Sequence, residues 1–329
     1  MKRGKKLALL TAGILIALGA VLGMSAVLLG DINATDVNTV QMAEGITPVK
    51  EDFRHISVDT DACNVSLLPA PDGITRVEWW YPDRGMSINV QVEGDTLHIS
   101  SEYIWTKWYE RIQFGFGLEE LRILVYLSEE EYGNLTITSA SGDLNVPDAF
   151  TFESARLTSA SGDVTFRGAV EGELSAMSTS GDVTLQGSRP QSLSAATTSG
   201  TLSLSELDVR EDMTLETTSG DLDLTDVQCR ELTANSSSGA IQCRDVLARG
   251  AIRMDTASGE IRLTHCDAAS LLLTSVSGDI SGTLRTEKIY LAHSDSGNVE
   301  VPRSTTGGSC EINTSSGDIH FAEFGGVTG

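Results

Sequence analysis

Several residue types are scarce in this 329-residue chain, and each shortage excludes a class of protein. Lysine and arginine together number 23 against 46 aspartates and glutamates, which leaves a net charge of −23. Beyond residue 6 the chain contains three lysines, Lys50, Lys107 and Lys288. Because binding to a phosphate backbone needs clustered basic side chains, nucleic acid is not an expected partner.

Metal-binding and catalytic sequence patterns are also missing. The cysteines contain no CxxC pair, which argues against a zinc site. The sequence has no P-loop, no G-x-G-x-x-G and no G-x-S-x-G elbow. We therefore expect no cofactor, no catalytic residue and no enzymatic activity. The disulfide state of Cys229 and Cys266 is left open by the sequence.

The N-terminus combines a basic flank with a long uncharged stretch. Residues 7–30 carry no charge and follow four basic residues within positions 2–6. At ~1.5 Å per residue this stretch can cross the roughly 30 Å bilayer core. The positive flank favours a cytoplasmic N-terminus, so we predict a single-pass membrane protein with residues 1–30 as flank and anchor and the bulk extracytoplasmic. A cleaved signal peptide is the alternative.

A glycine preceded by serine recurs along residues 134–329 at steps of 19 or 20 residues. Such a period is typical of a solenoid. The ten corner glycines are Gly142, Gly162, Gly181, Gly200, Gly220, Gly239, Gly259, Gly278, Gly297 and Gly317.

Residues on either side of each corner glycine follow the two-residue period of a strand with one buried face. Positions seven and five before the glycine and two and four after it are mostly apolar. Ser or Thr lies three before it and Ser one before it in all ten repeats, so both hydroxyl columns are predicted to point inward. The fold class predicted is all-β, a parallel β-helix that should be right-handed. Each corner glycine is expected to adopt a positive φ.

The region between anchor and repeats is less regular. Residues 31–52 are predicted to be a linker, and residues 53–133 to be degenerate coils that cap the solenoid. Cys63 aligns with the corner glycines, and all four tryptophans lie in this region. Within 101–117, a predicted loop, Trp105, Trp108 and Tyr109 form a possible binding site. At the other end, Phe321 and Phe324 are predicted to close the last coil.

The position after the corner glycine is acidic in seven of ten repeats. One interpretation is that each carboxylate accepts a backbone hydrogen bond at its turn. The other is a calcium-binding ladder, although one carboxylate per coil is few for an ion that takes 6–8 oxygens. The residues concerned are Asp143, Asp163, Asp182, Asp221, Glu260, Asp279 and Asp318.

A polysaccharide-acting β-helix is the enzymatic alternative. It would need carboxylates and basic residues that converge on one face of the solenoid. The candidates are Asp221, Asp223 and Asp226 with Arg244 and Arg262.

The strand region "LRILVYLSEEEYGNLTITSASGDL" at 121–144, followed by tandem T-S-x-S-G-D repeats, resembles the bacterial putative-adhesin family. The resemblance covers residues 53–321 and implies a membrane-tethered parallel β-helix of unknown function, commonly from Gram-positive bacteria. It implies no catalytic residues. We therefore expect a non-enzymatic surface protein that binds cell-wall polymer. A protein of the cell-envelope stress response, with a membrane regulator as its partner, is the alternative.

Overall fold

The computed structural model describes residues 42–82, 86–103 and 121–322, which form strands and turns. None of these residues lies in a helix long and apolar enough to cross a membrane. The transmembrane helix predicted over residues 7–30 lies outside the described residues.

Seven strands precede the regular repeats, and the remaining strands form the repeats. The first group is β1 (Met42–Pro48), β2 (His55–Thr60), β3 (Asn64–Pro69), β4 (Arg76–Pro82), β5 (Met86–Glu93), β6 (Thr96–Tyr103) and β7 (Arg122–Leu127). The second group is β8 (Glu131–Ser139), β9 (Leu144–Val146), β10 (Thr151–Ser159), β11 (Val164–Phe166), β12 (Ala169–Val170), β13 (Glu173–Ser178), β14 (Val183–Gln186), β15 (Ser192–Thr197), β16 (Leu202–Asp208), β17 (Asp212–Thr217), β18 (Leu222–Cys229), β19 (Glu231–Ser236), β20 (Ile241–Ala248), β21 (Ala251–Thr256), β22 (Ile261–Cys266), β23 (Ser270–Ser275), β24 (Ile280–Leu284), β25 (Lys288–Ser294), β26 (Val299–Glu300), β27 (Gly308–Thr314) and β28 (Ile319–Phe321).

The coils stack into two sheets that enclose one apolar core. The strand before each corner glycine belongs to one sheet, the leading sheet, and the strand after it to the other, the following sheet. Strands of successive coils pair in parallel, for example Leu193 with Met213 and Leu202 with Leu222. The apolar positions that the repeat predicts to face inward are buried. The predicted all-β parallel solenoid is confirmed.

The N-terminal end is covered by strands that run against the direction of the coils. β4 pairs antiparallel with β1 and β7, and β5 pairs antiparallel with β6. Within 53–133, where the sequence predicts a cap, β5 and β6 form a hairpin and β4 runs antiparallel to β7. The linker predicted for 31–52 differs from the structure in residues 42–48, which form β1. The side chains of β1 alternate in accessibility, but its sequence, MAEGITP, has too few apolar residues to indicate a strand.

At the other end the coils do not stack in chain order. β27 lies between β23 and β25, and β28 lies between β24 and β26. The coil with Gly297 is therefore terminal, and the coil with Gly317 is inserted beneath it. Phe321 is buried, with its ring 5.7 Å from that of Tyr290, so it does not close the end as predicted. Phe324 lies outside the described residues.

The first coil is inserted in the same way, because β2 lies between β6 and β8. Cys63 takes the corner position here, as the alignment predicts, and its carbonyl lies against Gly142. All strand pairings described above join residues within 42–322.

Candidate binding site

The corner glycines are required by close contact between coils. None of them has a positive φ, so the conformational prediction is wrong. A Cβ added at Gly220 would overlap the carbonyl oxygen of Gly200 in the adjacent coil, and the same overlap recurs at each corner glycine of the ladder. Backbones of neighbouring coils approach so closely at this corner that no side chain fits between them.

The Ser or Thr three residues before the glycine joins two coils. Ser159 Oγ accepts a hydrogen bond from the N–H of Gly162 at 2.9 Å and donates one to the carbonyl of Gly142 at 3.1 Å. Ser178 makes the same pair of bonds in the next coil. The predicted hydroxyl ladder is confirmed for this column, because a buried hydroxyl needs both partners.

The serine one residue before the glycine does not face the core. Ser161 and Ser180 are exposed, as is this serine in the other repeats. The prediction extended the strand period through the corner, but the chain bends there and the alternation ends. These serines therefore form an outward-facing row.

The acidic column makes hydrogen bonds between coils. Asp143 Oδ1 accepts the backbone N–H of Asp163 at 2.8 Å, and Asp163 Oδ1 accepts that of Asp182 at 2.8 Å. Asn64 Oδ1 likewise accepts a hydrogen bond from the N–H of Asp143. Within residues 42–82, 86–103 and 121–322, no three His, Cys, Asp or Glu side chains converge to hold a metal ion. The calcium ladder stays a prediction.

The non-glycine residues with positive φ lie at a second corner, six residues after the corner glycine. Glu206, Asp226, Asp245 and His265 stack there in four consecutive coils with φ between 53° and 56°. Gly187 adopts φ 73° at the same position of an earlier coil. The guanidinium of Arg285 donates to Asp245 at 2.8 Å and to the carbonyl of His265 at 2.8 Å, which links three coils.

A groove follows this second corner along the C-terminal coils. Its volume is about 730 Å³, within the range of small-ligand sites. One wall is the row eight residues after the corner glycine, in which Asp208 lies beside Gln228, Gln228 beside Leu247, and Leu247 beside Asp267. With Thr286 this row crosses five coils, a length of about 19 Å at ~4.8 Å per coil.

The groove exists because a row of long side chains is interrupted. Arg210, Arg230 and Arg249 lie ten residues after successive corner glycines, and the next coil has Ala269 at that position. Arg249 turns back to donate to the carbonyl of Arg210 at 2.6 Å. Gly308 of the inserted coil lies against the carbonyl of Ala269, and Lys288 pairs with Gly308 one coil further on. Ala269 and Gly308 are both small and leave open space, which the Lys288 side chain borders.

Lys288 and Asp267 form a buried ion pair in the groove. Lys288 is 3% exposed, and its Nζ lies 2.5 Å from Asp267 Oδ1. The same oxygen accepts from Thr286 Oγ1 at 3.0 Å and from the N–H of Ala268 at 2.9 Å. Asp267 Oδ2 accepts no hydrogen bond from the described residues. An acceptor oxygen and the side chains of Gln228 and Arg249 are thus present in one groove for a polar ligand.

Sequence reasoning missed this groove, although a signal was present. Basic residues recur at one position of the repeat and are interrupted once, by alanine. The residues are Arg210, Arg230, Arg249, Ala269 and Lys288. Lys288 is also an inward-facing lysine in a chain that has few lysines. Only the stacking order shows that Gly308 follows Ala269, so that the gap spans two coils before Lys288.

The cysteines are core residues. All five lie in the described part of the chain, where they are buried and form no disulfide. Cys243 lies between Leu224 and Leu263, as predicted. Burial raises the pKa of Cys229 to about 12 and that of Cys266 to about 11. Burial thus favours the neutral thiol form, which is typical of cysteines that act as core residues.

The structure places part of the polysaccharide-acting constellation on the following sheet, where Gln242 separates Asp223 from Arg262 and Arg244 lies beside Thr225. Asp223 lies between Ser203 and Gln242 on the following sheet, where burial and then Asp221 raise its pKa. Asp226 lies at the second corner. Arg262 is paired with Glu260 in its own coil.

Most of the loop predicted over residues 101–117 lies outside the described residues. Trp105, Trp108 and Tyr109 lie outside the described residues. Trp79 packs against the core, and Trp80 stacks on the guanidinium of Arg122 at 4.2 Å. The capping role of the tryptophans stays a prediction.

The fold is similar to solved bacterial structures. A putative adhesin from Parabacteroides distasonis is 12% identical with a TM-score of 0.50, over 86% of this chain and 97% of that one. A putative lipid binding protein from the same species is 15% identical with a TM-score of 0.49, over 85% and 97%. A putative adhesin from Bacteroides fragilis is 15% identical with a TM-score of 0.40, over 86% and 98%.

No curated protein matches the chain. The family model for Toastrack DUF4097 matches residues 53–211 and 191–326, nearly the whole described region. The resemblance carried by the SGD repeats is confirmed, and this chain belongs to the Toastrack DUF4097 family.

Proposed function

We propose that this chain is a non-enzymatic surface protein that residues 7–30 anchor in the cell membrane and whose solenoid binds a polymer of the cell envelope. The groove beside Asp267 and Lys288 carries the proposal. It is elongated along the solenoid axis and presents polar groups in several successive coils, a shape that suits a chain-like ligand.

The chemistry of the groove favours binding over catalysis. The charge of Asp267 is balanced by Lys288, and its Oδ1 is occupied by three donors. A carboxylate held in this way is suited to accept ligand hydrogen bonds rather than to transfer protons. The name of one similar structure, a putative adhesin from Parabacteroides distasonis, agrees with a binding role.

Co-sedimentation of residues 31–329 with protein-stripped cell walls tests the proposal. We expect saturable binding that Arg249→Ala weakens at least tenfold. Arg253→Ala is the matched control, because Arg253 is an exposed arginine on the leading sheet, paired with Glu231 away from the groove. The control should bind like the parent chain.

Two outcomes contradict the proposal. Absence of wall binding would favour the alternative partner, a membrane regulator of an envelope stress response. Equal loss of binding in the two arginine variants would show that the groove is not the site. Binding that disappears with a chelator would instead support the acidic column as a calcium site.

A further inference from the structure

The two edge strands of the leading sheet differ in what they expose. At the N-terminal end, β5 presents Asn89, Gln91 and Glu93 to solvent. At the C-terminal end, β25 has the same alternation but exposes Ile289 at 41% and Leu291 at 61%. Polar side chains on an edge strand discourage pairing with another chain, whereas an apolar edge invites it.

Among the described residues, the core beneath β25 is also only partly covered. Tyr290, Ala292 and Val301 pack against the core but are only partly buried, and Val299 is 41% exposed. In a solenoid the terminal coil needs a polar outer face or a covering element. The described residues provide such a cover, β4 and β5, at the opposite end.

Charge does not oppose association at this end. Residues 285–304 carry three basic and three acidic side chains, in a chain with a net charge of −23. Two such rods would repel along their lengths, and their neutral C-terminal ends are where repulsion is smallest.

The sequence of β25 is complementary to itself in one antiparallel register. The pairing that matches all seven residues of Lys288–Ser294 with a second copy places Leu291 opposite Leu291. It also places Tyr290 opposite Ala292, a large side chain against a small one on the inward face, and Ile289 opposite His293 on the outward face. Lys288 falls opposite Ser294, so no like charges meet.

We propose that two copies of this chain associate end to end through antiparallel pairing of their β25 strands. The two leading sheets become continuous, and the uncovered ends of the two cores cover each other. The contact is isologous, so its two-fold symmetry closes it as a dimer.

A functional consequence rests on the proposed membrane anchor. Each rod is about 60 Å long, from its 14-stranded sheets at ~4.8 Å per strand. The end-to-end pair places the two N-terminal ends about 120 Å apart at opposite extremities. Anchored chains would then pair between two facing membranes, which is homophilic adhesion.

Light scattering on residues 31–329 tests the pairing without the anchor, so its failure is distinct from failure of the membrane proposal. We expect a dimer that dissociates on dilution. Leu291→Lys puts two ammonium groups opposite each other and should weaken the dimer at least tenfold. Leu272→Lys is the matched control, since both leucines flank Glu311 in the same outward row.

Cross-linking tests the register. Leu291→Cys should form a covalent dimer on mild oxidation, because residue 291 faces its own copy. Leu272→Cys should not, and the five native cysteines are buried. A monomer at every concentration would overturn the proposal. The proposal would also be overturned if the chain shortened to Ala322 dimerised while the chain 31–329 did not. Residues 323–329 would then be what covers the edge of β25.

Discussion

The two corners of each coil solve the same problem of turning the chain in different ways. At the first, glycine recurs with an ordinary φ because the carbonyl of the next coil leaves no room for a side chain. At the second, φ is positive, yet Glu206 and His265 are accommodated because their side chains are exposed to solvent. The comparison teaches that a repeated glycine can report a close approach rather than a special conformation.

The first corner should therefore tolerate alanine much less than the second. Gly220→Ala forces a Cβ onto the carbonyl oxygen of Gly200, and we expect a loss of about 3 kcal/mol in the free energy of unfolding. Gly187→Ala, at φ 73° in open space, should lose about 1 kcal/mol. Urea unfolding followed by circular dichroism measures both. Equal losses would show that conformation, not contact, selects glycine.

Hydroxyl pairing at the first corner gives the next largest effect. Ser178 is buried and bridges the N–H of Gly181 and the carbonyl of Gly162, each at 2.9 Å. Ser178→Ala leaves two buried polar groups unpaired and should lower the free energy of unfolding by about 2 kcal/mol. Ser180→Ala changes an exposed serine of the same corner and should stay within ~0.5 kcal/mol. A comparable loss in Ser180→Ala would contradict the assignment of the two columns.

Sequence periodicity was sufficient for the solenoid and its inward columns but not for its corners. The two-residue period correctly places Cys243 in the core and Ser159 in a buried hydroxyl ladder. It fails at Ser161, because alternation holds only while the strand continues. The positive φ of Asp226 and Asp245 leaves no clear sign in the sequence, since aspartate is common in both turns and strand ends.

The ends and the groove were less predictable because they depend on stacking order. Nothing in a regular repeat indicates that β27 inserts between β23 and β25. That insertion makes β25 an edge and buries Phe321. The contact between Lys288 and Asp267 likewise requires knowing which coils are neighbours. Local patterns specify each coil, whereas these features arise from packing between coils.

A substitution at Ser188, next to the second corner, is expected to raise the free energy of unfolding rather than lower it. Its Oγ is buried without a hydrogen-bond partner among the described residues, and the same column holds Leu207 and Val227 in the next coils. Ser188→Ala removes the unpaired hydroxyl and should raise the free energy of unfolding by about 1 kcal/mol. Urea unfolding of Ser188→Ala beside Ser178→Ala should show shifts in opposite directions. A loss at Ser188 would mean that the hydroxyl has a partner.

The smallest expected effect comes from relaxing the second corner. Glu206 adopts φ 56° with an exposed side chain, a conformation that is unfavourable for a residue with a Cβ. Glu206→Gly relieves this strain but adds freedom to the unfolded chain, so the net gain should be about 0.5 kcal/mol. Glu216→Gly, at an exposed position inside β17, has no strain to relieve and should lose about 0.5–1 kcal/mol. Equal losses of stability in urea unfolding would show that the positive φ at the second corner carries no strain. The two corners would then differ only in the room they leave for a side chain.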